Sequence, residues 1–451
     1  MSPMGNAQDA SGPLISGISA HFRGVAREIF QHALTESSIR KAFDRHVSLD
    51  RGILRVGEDL FDLGSFSRIF VVAMGKAAHT MVEALMTHLG AGVTGIVACS
   101  TDPVTQVFGF RYYRGGHPMP NSDSVRAAEA ILKSLSTHAS RSLVIFLVSG
   151  GASAIVEKPV DDSITLEDLI ATYKVLVHSG APIREINAVR KHLSATKGGR
   201  LALMASPAQQ VSILVSDVPD GTVDSLASGP TMPDTTTVEE CYDIVKKHKI
   251  LKQFPASVRD LFERVELEET PKHGDGSFDR SRFWTILSNE IARKHAVAKA
   301  AMNGFAIEVD NTCDDWDYAE AADHLLKKLR TLRKGVSRVC LISGGEVTVK
   351  VTGEAGVGGR NQQFALYCAT KIADEDITVL SAGTDGIDGN SPAAGAIVDG
   401  TTLARASAVG LDAQTALQTF NAYPLFDALG DAIVTGPTGN NIRDLRILLA
   451  Y

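Results

Sequence analysis

Cysteine is scarce in this chain: five in 451 residues, Cys99, Cys241, Cys313, Cys340 and Cys368. None forms a CxxC pair and the count is odd, which argues against a disulfide framework and for a reducing cytoplasm. Long apolar runs are missing as well. The longest apolar region, 143–156, is broken by Ser149, Gly150 and Gly151. No segment therefore has the length of a membrane-spanning helix. The opening residues, MSPMGNAQDASGP, have neither a basic start nor an apolar core, so they do not read as a signal peptide. Residues 1–20 are expected to form a mobile leader. Positive charge is in deficit: 45 Lys and Arg against 52 Asp and Glu leave a net charge of −7. That speaks against a general nucleic-acid binder or a protein of anionic membranes. A small anionic substrate needs only a few local cations and stays open. There is no HExxH, no Cys/His zinc spacing, no EF-hand loop and no G-x-S-x-G.

What is present is a soluble globular composition, 44% hydrophobic and 22% charged, long enough for two domains. Short apolar runs alternate with amphipathic stretches. Strands are expected at 68–74, 94–98, 142–148 and 211–215, and helices at 77–89, 122–135, 166–178 and 184–192. This alternation predicts parallel α/β layers. A strand at 283–287 and a helix at 290–302 continue the pattern. Beyond 335 the texture changes: runs at 339–343 and 347–351 flank Gly344-Gly345 as a hairpin or strand–loop–strand, and glycine-rich turns recur. The expected organisation is an N-terminal Rossmann-like domain over 21–334 and a smaller α/β domain over 335–451.

Glycine-rich loops at strand ends carry the chemistry, because open α/β sheets bind ligands there. Gly75-Lys76 follows a strand and opens a helix, a place for phosphate or carboxylate; a solvated first-turn lysine is the plainer alternative. Ser149-Gly150-Gly151-Ala152-Ser153 follows the strongest strand and reads as a phosphate nest or a tight turn. Asn187 and Lys191 share a helix face in a locally basic stretch that leans toward anion binding. Asp217 follows a buried strand, where a carboxylate could hold Mg²⁺ or accept a hydroxyl proton. Further on come Ser343-Gly344-Gly345-Glu346, Gly359-Arg360-Asn361, and Asp385 and Asp388 around Gly386, spaced for a cation or a turn. Together these residues suggest Mg²⁺-assisted phosphoryl transfer. Gly90-Ala91-Gly92-Val93-Thr94-Gly95 matches G-x-G-x-x-G, but a helix precedes it and a strand follows, the reverse of a dinucleotide site.

The ordered set GKAA (75–78), GGHPMPN (115–121), SGGASA (149–154), INAVRKHLSATKGGRLA (186–202), SDVPDG (216–221), ASGPT (227–231), ISGGE (342–346), GGRNQ (358–362), AGTDGIDG (382–389) and TGPTGNN (435–441) resembles glycerate 2-kinase, the class II glycerate kinases, whose C-terminal domain is called MOFRL. The resemblance implies ATP-dependent phosphorylation of D-glycerate at its 2-hydroxyl, with Mg²⁺, in a cleft between the two domains. It implies catalytic roles for Lys76 and Arg360. Asp217 or Asp385 would orient Mg²⁺ or the hydroxyl, and Ser149–Ser153 would cradle phosphates. Asp385, Asp388 and Glu346 are the candidate metal ligands, because two acids usual in the family are replaced here by Gln363 and Pro392. Hydroxypyruvate reductase, a label some members have carried, and a kinase or binder for a related hydroxy acid are the alternatives. The expected partners are small molecules only, in the cytoplasm; a homodimer is compatible with the sequence.

Overall fold

The computed structural model describes residues 17–90 and 92–451. The chain forms two compact units. One is Ile39–Ser288. The other joins Asn289–Tyr451 to the N-terminal segment ending at Ser38.

The Ile39–Ser288 unit opens with a three-stranded antiparallel sheet, β1 (Val47–Asp50), β2 (Ile53–Val56) and β3 (Asp59–Asp62). The main sheet follows: β4 (Arg68–Met74), β5 (Thr94–Cys99), β6 (Phe110–Arg114), β7 (Ser142–Ser149), β8 (Gln209–Val215) and β9 (Ser281–Leu287). All pairings are parallel, in the order β6-β5-β4-β7-β8-β9. All eight residues of β7 are buried, so its sequence runs apolar without alternation; a strand covered on both faces needs this. The chain fills β4, β5 and β6 in one direction, then returns to the other side of β4 for β7. The order reverses between β4 and β7, which makes their carboxyl ends the switch point of the sheet. The helix Ser122–Leu135 shows how locally the covering layer is encoded. Asn121 accepts the Ser124 N–H at 2.9 Å and Ser124 returns the bond, closing a capping box.

In the other unit, β10 (Ala306–Val309), β11 (Val339–Gly344), β12 (Ile377–Gly383), β13 (Gly395–Asp399), β14 (Ala432–Ile433) and β15 (Asp444–Ala450) form a mixed sheet, ordered β10-β11-β15-β12-β13-β14. The last strand of the chain lies in the middle, antiparallel to both neighbours. On one face the helices Gly17–Glu36 and Asn289–Met302 bury Phe22, Ile29, Phe30 and Ala296 against Ile342, Leu380 and Ile447. On the other, Leu325, Leu329, Phe364 and Phe426 cover Leu341, Val379 and Leu448.

The division at 334/335 expected from sequence does not match these units. It would separate β10 from β11, which pair residue for residue from Ala306↔Val339 to Val309↔Ile342. The helix Gly17–Glu36 returns to the second sheet because its apolar face packs there and because buried Arg23 is ion-paired to Asp399 at 3.0 Å and to Asp431. Residues 17–20 of the expected leader are the first turn of this helix; the rest of that leader lies outside the described residues. The strand expected at 347–351 is reduced to a single bridge, Asp317↔Thr348, because Thr348 bonds both ways with the 316–318 segment instead of turning back on β11. Among the described residues no helix is long and apolar enough to cross a membrane.

Candidate active site

At the switch point the loops after β4 and β7 interlock. Gly75, at φ +117°, lies so close to Ser149 that a Cβ would fall 2.3 Å from its Oγ. The Lys76 N–H donates to Gly150 O at 2.9 Å, and the Ala77 N–H donates to Ser149 Oγ at 3.1 Å. The Ser149 hydroxyl thus ties two loops together; it is buried and does not present itself to a ligand. Gly150 is bare for a second reason: a Cβ there would sit 1.7 Å from Asp217 Oδ2, so the half-buried carboxylate after β8 lies directly against the loop after β7. Gly151, at φ +82°, lies against the ring of His117 and the aliphatic stem of Lys76; its Cβ would meet them at 3.0 and 3.1 Å. Burial, then the Lys76 charge, lowers the pKa of His117. Lys76 itself is exposed and makes no ion pair among the described residues. Glycine backbone thus brings an exposed cation, a carboxylate and an imidazole together, a set of groups suited to handling an anion.

The basic stretch expected to help there behaves differently. Lys191 is buried, and its Nζ lies 2.8 Å from Asp234 Oδ1. Asp234 also accepts from Thr236 and Thr270. Lys197 is buried against Glu157, which Tyr173 and Ser194 also contact; burial pulls its ammonium down to about 8 against the pull of Glu157. These two cations are buried against carboxylates instead of facing solvent, and so brace their own segment. Asn187 is half-buried on the same helix, Ile183–His192. The braced segment meets the ASGPT loop through Gly198 N to Ser228 O, Gly199 N to Gly229 O and Leu201 N to Pro230 O. In that loop Ala227 and Ser228 hold φ of +53° and +62°, and Ser228 Oγ lies 3.0 Å from Ser153 Oγ. Strained non-glycine residues of this kind persist where surrounding bonds over-determine them.

In the other unit the focus is Arg360, first residue of the helix Arg360–Lys371. Its Nε and Nη2 fork onto Asp444 at 2.6 and 3.0 Å, and Nη2 lies 2.8 Å from Glu346 Oε1. Burial opposes the charge of Arg360, but the Asp444 contact outweighs it and raises its pKa. Burial raises the Glu346 carboxyl against the pull of Arg360. Asp388 is turned inward. Its two oxygens accept the N–H groups of Asn361 and Gln362 at 3.0 and 2.8 Å, and burial pushes it up to about 6. It caps the helix and so aims Arg360. Asn361 is buried, accepting from Ser381 at 2.6 Å. Gly344 and Gly345 let the end of β11 approach Asn289 and Asp314; a Cβ at either would clash. Asp314 in turn accepts both ends of Arg443 at 2.6 and 2.7 Å.

The three acids expected to hold Mg²⁺ do not fit that role. Asp388 is used on helix amides, Asp385 accepts the Ile387 N–H at 3.1 Å, and Glu346 faces Arg360. They do not converge; among the described residues the group of three donors that does is Asp310, Cys313 and His324. Asp310 there is already held by Lys328 at 2.8 Å. The two family departures resolve simply. The Gln363 amide donates to Leu417 O at 2.7 Å, a bond an ionised glutamate could not make, and Pro392 is exposed. Sequence reasoning gave no role to His117 or Asp444. His117 is a single residue inside GGHPMPN and Asp444 lies three residues beyond TGPTGNN, and neither has a spacing signal to mark its partner.

A parallel α/β unit with a glycine-built anion site, joined to a mixed-sheet unit with a paired arginine, is the frame of a two-part phosphate-handling protein. Residues 25–263 match a domain of unknown function (DUF4147), and residues 339–444 match the MOFRL family. The chain belongs to the glycerate 2-kinase family. The D-glycerate 2-kinase of Thermotoga maritima is 35% identical over 396 residues, 85% of this chain and 91% of that protein. The crystal structure of a glycerate kinase from Thermotoga maritima superposes with a TM-score of 0.84 at 32% identity, covering 96% of this chain and 100% of that one. A relative in Agrobacterium vitis, 34% identical over 85% of this chain and 99% of its own length, bears the provisional name hydroxypyruvate reductase.

Proposed function

We propose that the protein transfers the γ-phosphoryl group of ATP to the 2-hydroxyl of D-glycerate, giving 2-phosphoglycerate and ADP. The substrate oxygen attacks phosphorus, the bond to the bridging oxygen of ADP breaks, and the hydroxyl proton passes to a carboxylate. Lys76 supplies an unpaired positive charge for the transferring group or the substrate carboxylate. Asp217, which lies against Gly150, takes the proton in this reading, and Asp385 accepts the Ile387 N–H of its own turn. Arg360 supplies a second charge whose direction Asp444 sets. Little covalent chemistry is asked of a protein in such a transfer, so positioning and charge do the work. Mg²⁺ enters with the nucleotide phosphates in this reading, not through a ready-made trio of carboxylates.

The observation that carries the proposal is the switch-point site: an unpaired Lys76 between two interlocked glycine loops, in a chain of the glycerate 2-kinase family. A hydride-transfer reading needs a nicotinamide site. The only G-x-G-x-x-G in the sequence starts at Gly90, which caps the helix Ala78–Leu89, and ends at Gly95 inside β5, so no helix follows it. The test is a coupled assay with ATP, Mg²⁺ and D-glycerate, read through enolase, which accepts 2-phosphoglycerate directly. ADP release with an immediate enolase signal is expected. A folded protein that releases no ADP would overturn the reading.

A further inference from the structure

A cavity of about 260 Å³ opens beside Arg360, wholly within the unit that contains β10–β15. Val349, Val351, Ala355 and Phe420 make its apolar wall, and Asn390 and Arg360 border it. Its floor is backbone. Gly356, Gly358, Gly359 and Gly389 all line it, and at three of them a side chain has no room: a Cβ on Gly356 would meet Asn421 at 2.4 Å, one on Gly359 would meet Asp388 at 2.3 Å, and one on Gly389 would meet Gly358 O at 2.1 Å.

The loop that forms this floor is pinned at several points. Asn421 Oδ1 accepts the Val357 N–H at 2.8 Å, the Gly356 N–H donates to Thr419 O at 3.1 Å, and Asn390 bonds both Gly358 N and Gly356 O at 2.9 and 3.1 Å. The cavity is therefore shaped before any ligand arrives. Pre-formed sites avoid the ordering cost of binding.

Its size and lining decide what can enter. Cavities for whole drug-sized ligands start near ~300 Å³, so this one takes part of a ligand. Glycerate is polar at every carbon. Seating it against four apolar side chains would leave oxygens unpaired, at about 1–3 kcal/mol for each. A flat heteroaromatic ring has the opposite needs: two apolar faces to bury, and an edge of nitrogen atoms that suits peptide groups. A guanidinium at the border suits what hangs from such a ring in a nucleotide, a chain of phosphates.

We propose that the cavity walled by Val349, Val351, Ala355 and Phe420 is the seat of the nucleotide's base, with Arg360 facing its phosphate chain. The proposal rests on the kinase reading and adds where the donor is held: in the MOFRL unit, while the loops after β4 and β7 are left for the acid substrate and the transferring group.

Calorimetric titration of the full chain with ADP, and separately with inorganic tripolyphosphate, tests it. Ala355→Trp and Val351→Trp would fill the cavity, and both positions are exposed, so the fold tolerates them. Each variant is expected to weaken ADP at least ~10-fold while tripolyphosphate binds as in the wild type. ADP binding equally to the wild type and both variants overturns the seat and leaves the kinase reading standing. A wild type that binds tripolyphosphate as tightly as ADP also overturns the seat, since the base then adds nothing. A wild type that binds neither ligand overturns the kinase reading and the seat with it.

Discussion

Arg360 and Asp444 stand 84 residues apart and meet through two hydrogen bonds, Nε to Oδ2 at 2.6 Å and Nη2 to Oδ1 at 3.0 Å. Asp444 is the first residue of β15, the strand in the middle of its sheet, and its side chain is 1% exposed. The aim of Arg360 is thus referred to a fully buried strand paired on both sides, while Glu346 occupies a third donor site that a phosphate oxygen could take over. Asp444→Asn keeps the shape and removes the charge that orients the fork. Turnover is expected to fall on the order of 10²-fold, as for a small misplacement of a charged group. The KM for glycerate should move far less, and Asp444→Glu should recover part of the loss. Unchanged kcat in a folded Asp444→Asn variant would remove the positioning role.

Two lysines that look alike in sequence should respond in opposite ways. Lys76 is exposed and unpaired, so Lys76→Ala is expected to cut turnover at least ~10²-fold and leave stability within about 0.5 kcal/mol. Lys191 is 4% exposed and paired with Asp234. Lys191→Ala strands a buried carboxylate and is expected to cost about 3–5 kcal/mol. Urea unfolding beside steady-state kinetics separates the two. A Lys191→Ala protein of normal stability that no longer binds phosphate would return Lys191 to the anion site.

These contrasts mark where the sequence could be read and where it could not. The strands β4 and β7 were legible because a strand buried on both faces must be apolar throughout. The glycines at 75, 150 and 151 were legible as turns. What occupies the space beside them was not, since nothing local says that Asp217 lies against Gly150. The edge strand β6, Phe-Arg-Tyr-Tyr-Arg, carries two exposed arginines and lacks an apolar run, so it escaped notice. Lys191 and Lys197 were visible as cations, but their carboxylates lie 43 and 40 residues away. The division at 288/289 was hidden for the same kind of reason: it depends on a helix that crosses back to a sheet almost three hundred residues later.

Acid should weaken the Ile39–Ser288 unit through His138. Its ring packs on Phe70 with centroids 5.1 Å apart, neither nitrogen has a hydrogen-bond partner, and burial, aided by Arg68, lowers its pKa to about 4. The unfolded chain takes up a proton near the ordinary value of ~6.5. Between these values the unfolded state binds more protons, so stability falls as pH drops from about 6.5 to about 4. His138→Phe keeps the packing and removes the proton. The stability of this variant, relative to wild type, is expected to rise steadily across that window and stay level above it. A constant difference from pH 4 to 7 would contradict the assignment.

The N-terminal helix should be separable by one substitution. Arg23 is 5% exposed and paired with Asp399 and Asp431, and Arg405 holds the other side of Asp431 at 2.5 Å. Arg23→Met preserves much of the aliphatic stem but leaves Asp399 without its cation. A loss of about 3–5 kcal/mol is expected, with new protease sensitivity near residues 37–38, where the helix passes into the other unit. Wild-type resistance at that joint would show that the apolar face alone holds the helix.

The closest approach at the switch point gives the sharpest test of the catalytic assignment. A methyl group on Gly150 would fall 1.7 Å from Asp217 Oδ2, so Gly150→Ala must move either the carboxylate or the loop that carries Ser149 and Ser153. If Asp217 takes the hydroxyl proton, both Gly150→Ala and Asp217→Ala lower kcat by acting on one carboxylate. Adding Gly150→Ala to Asp217→Ala should then cost little more, because the group the methyl displaces is already gone; neighbouring residues that share one function are expected to be non-additive in this way. Two full, additive losses would mean that Gly150 serves the phosphate loop independently, and the proton acceptor would have to be sought elsewhere, first at His117, which lies against Gly151 on the other side of the same loop.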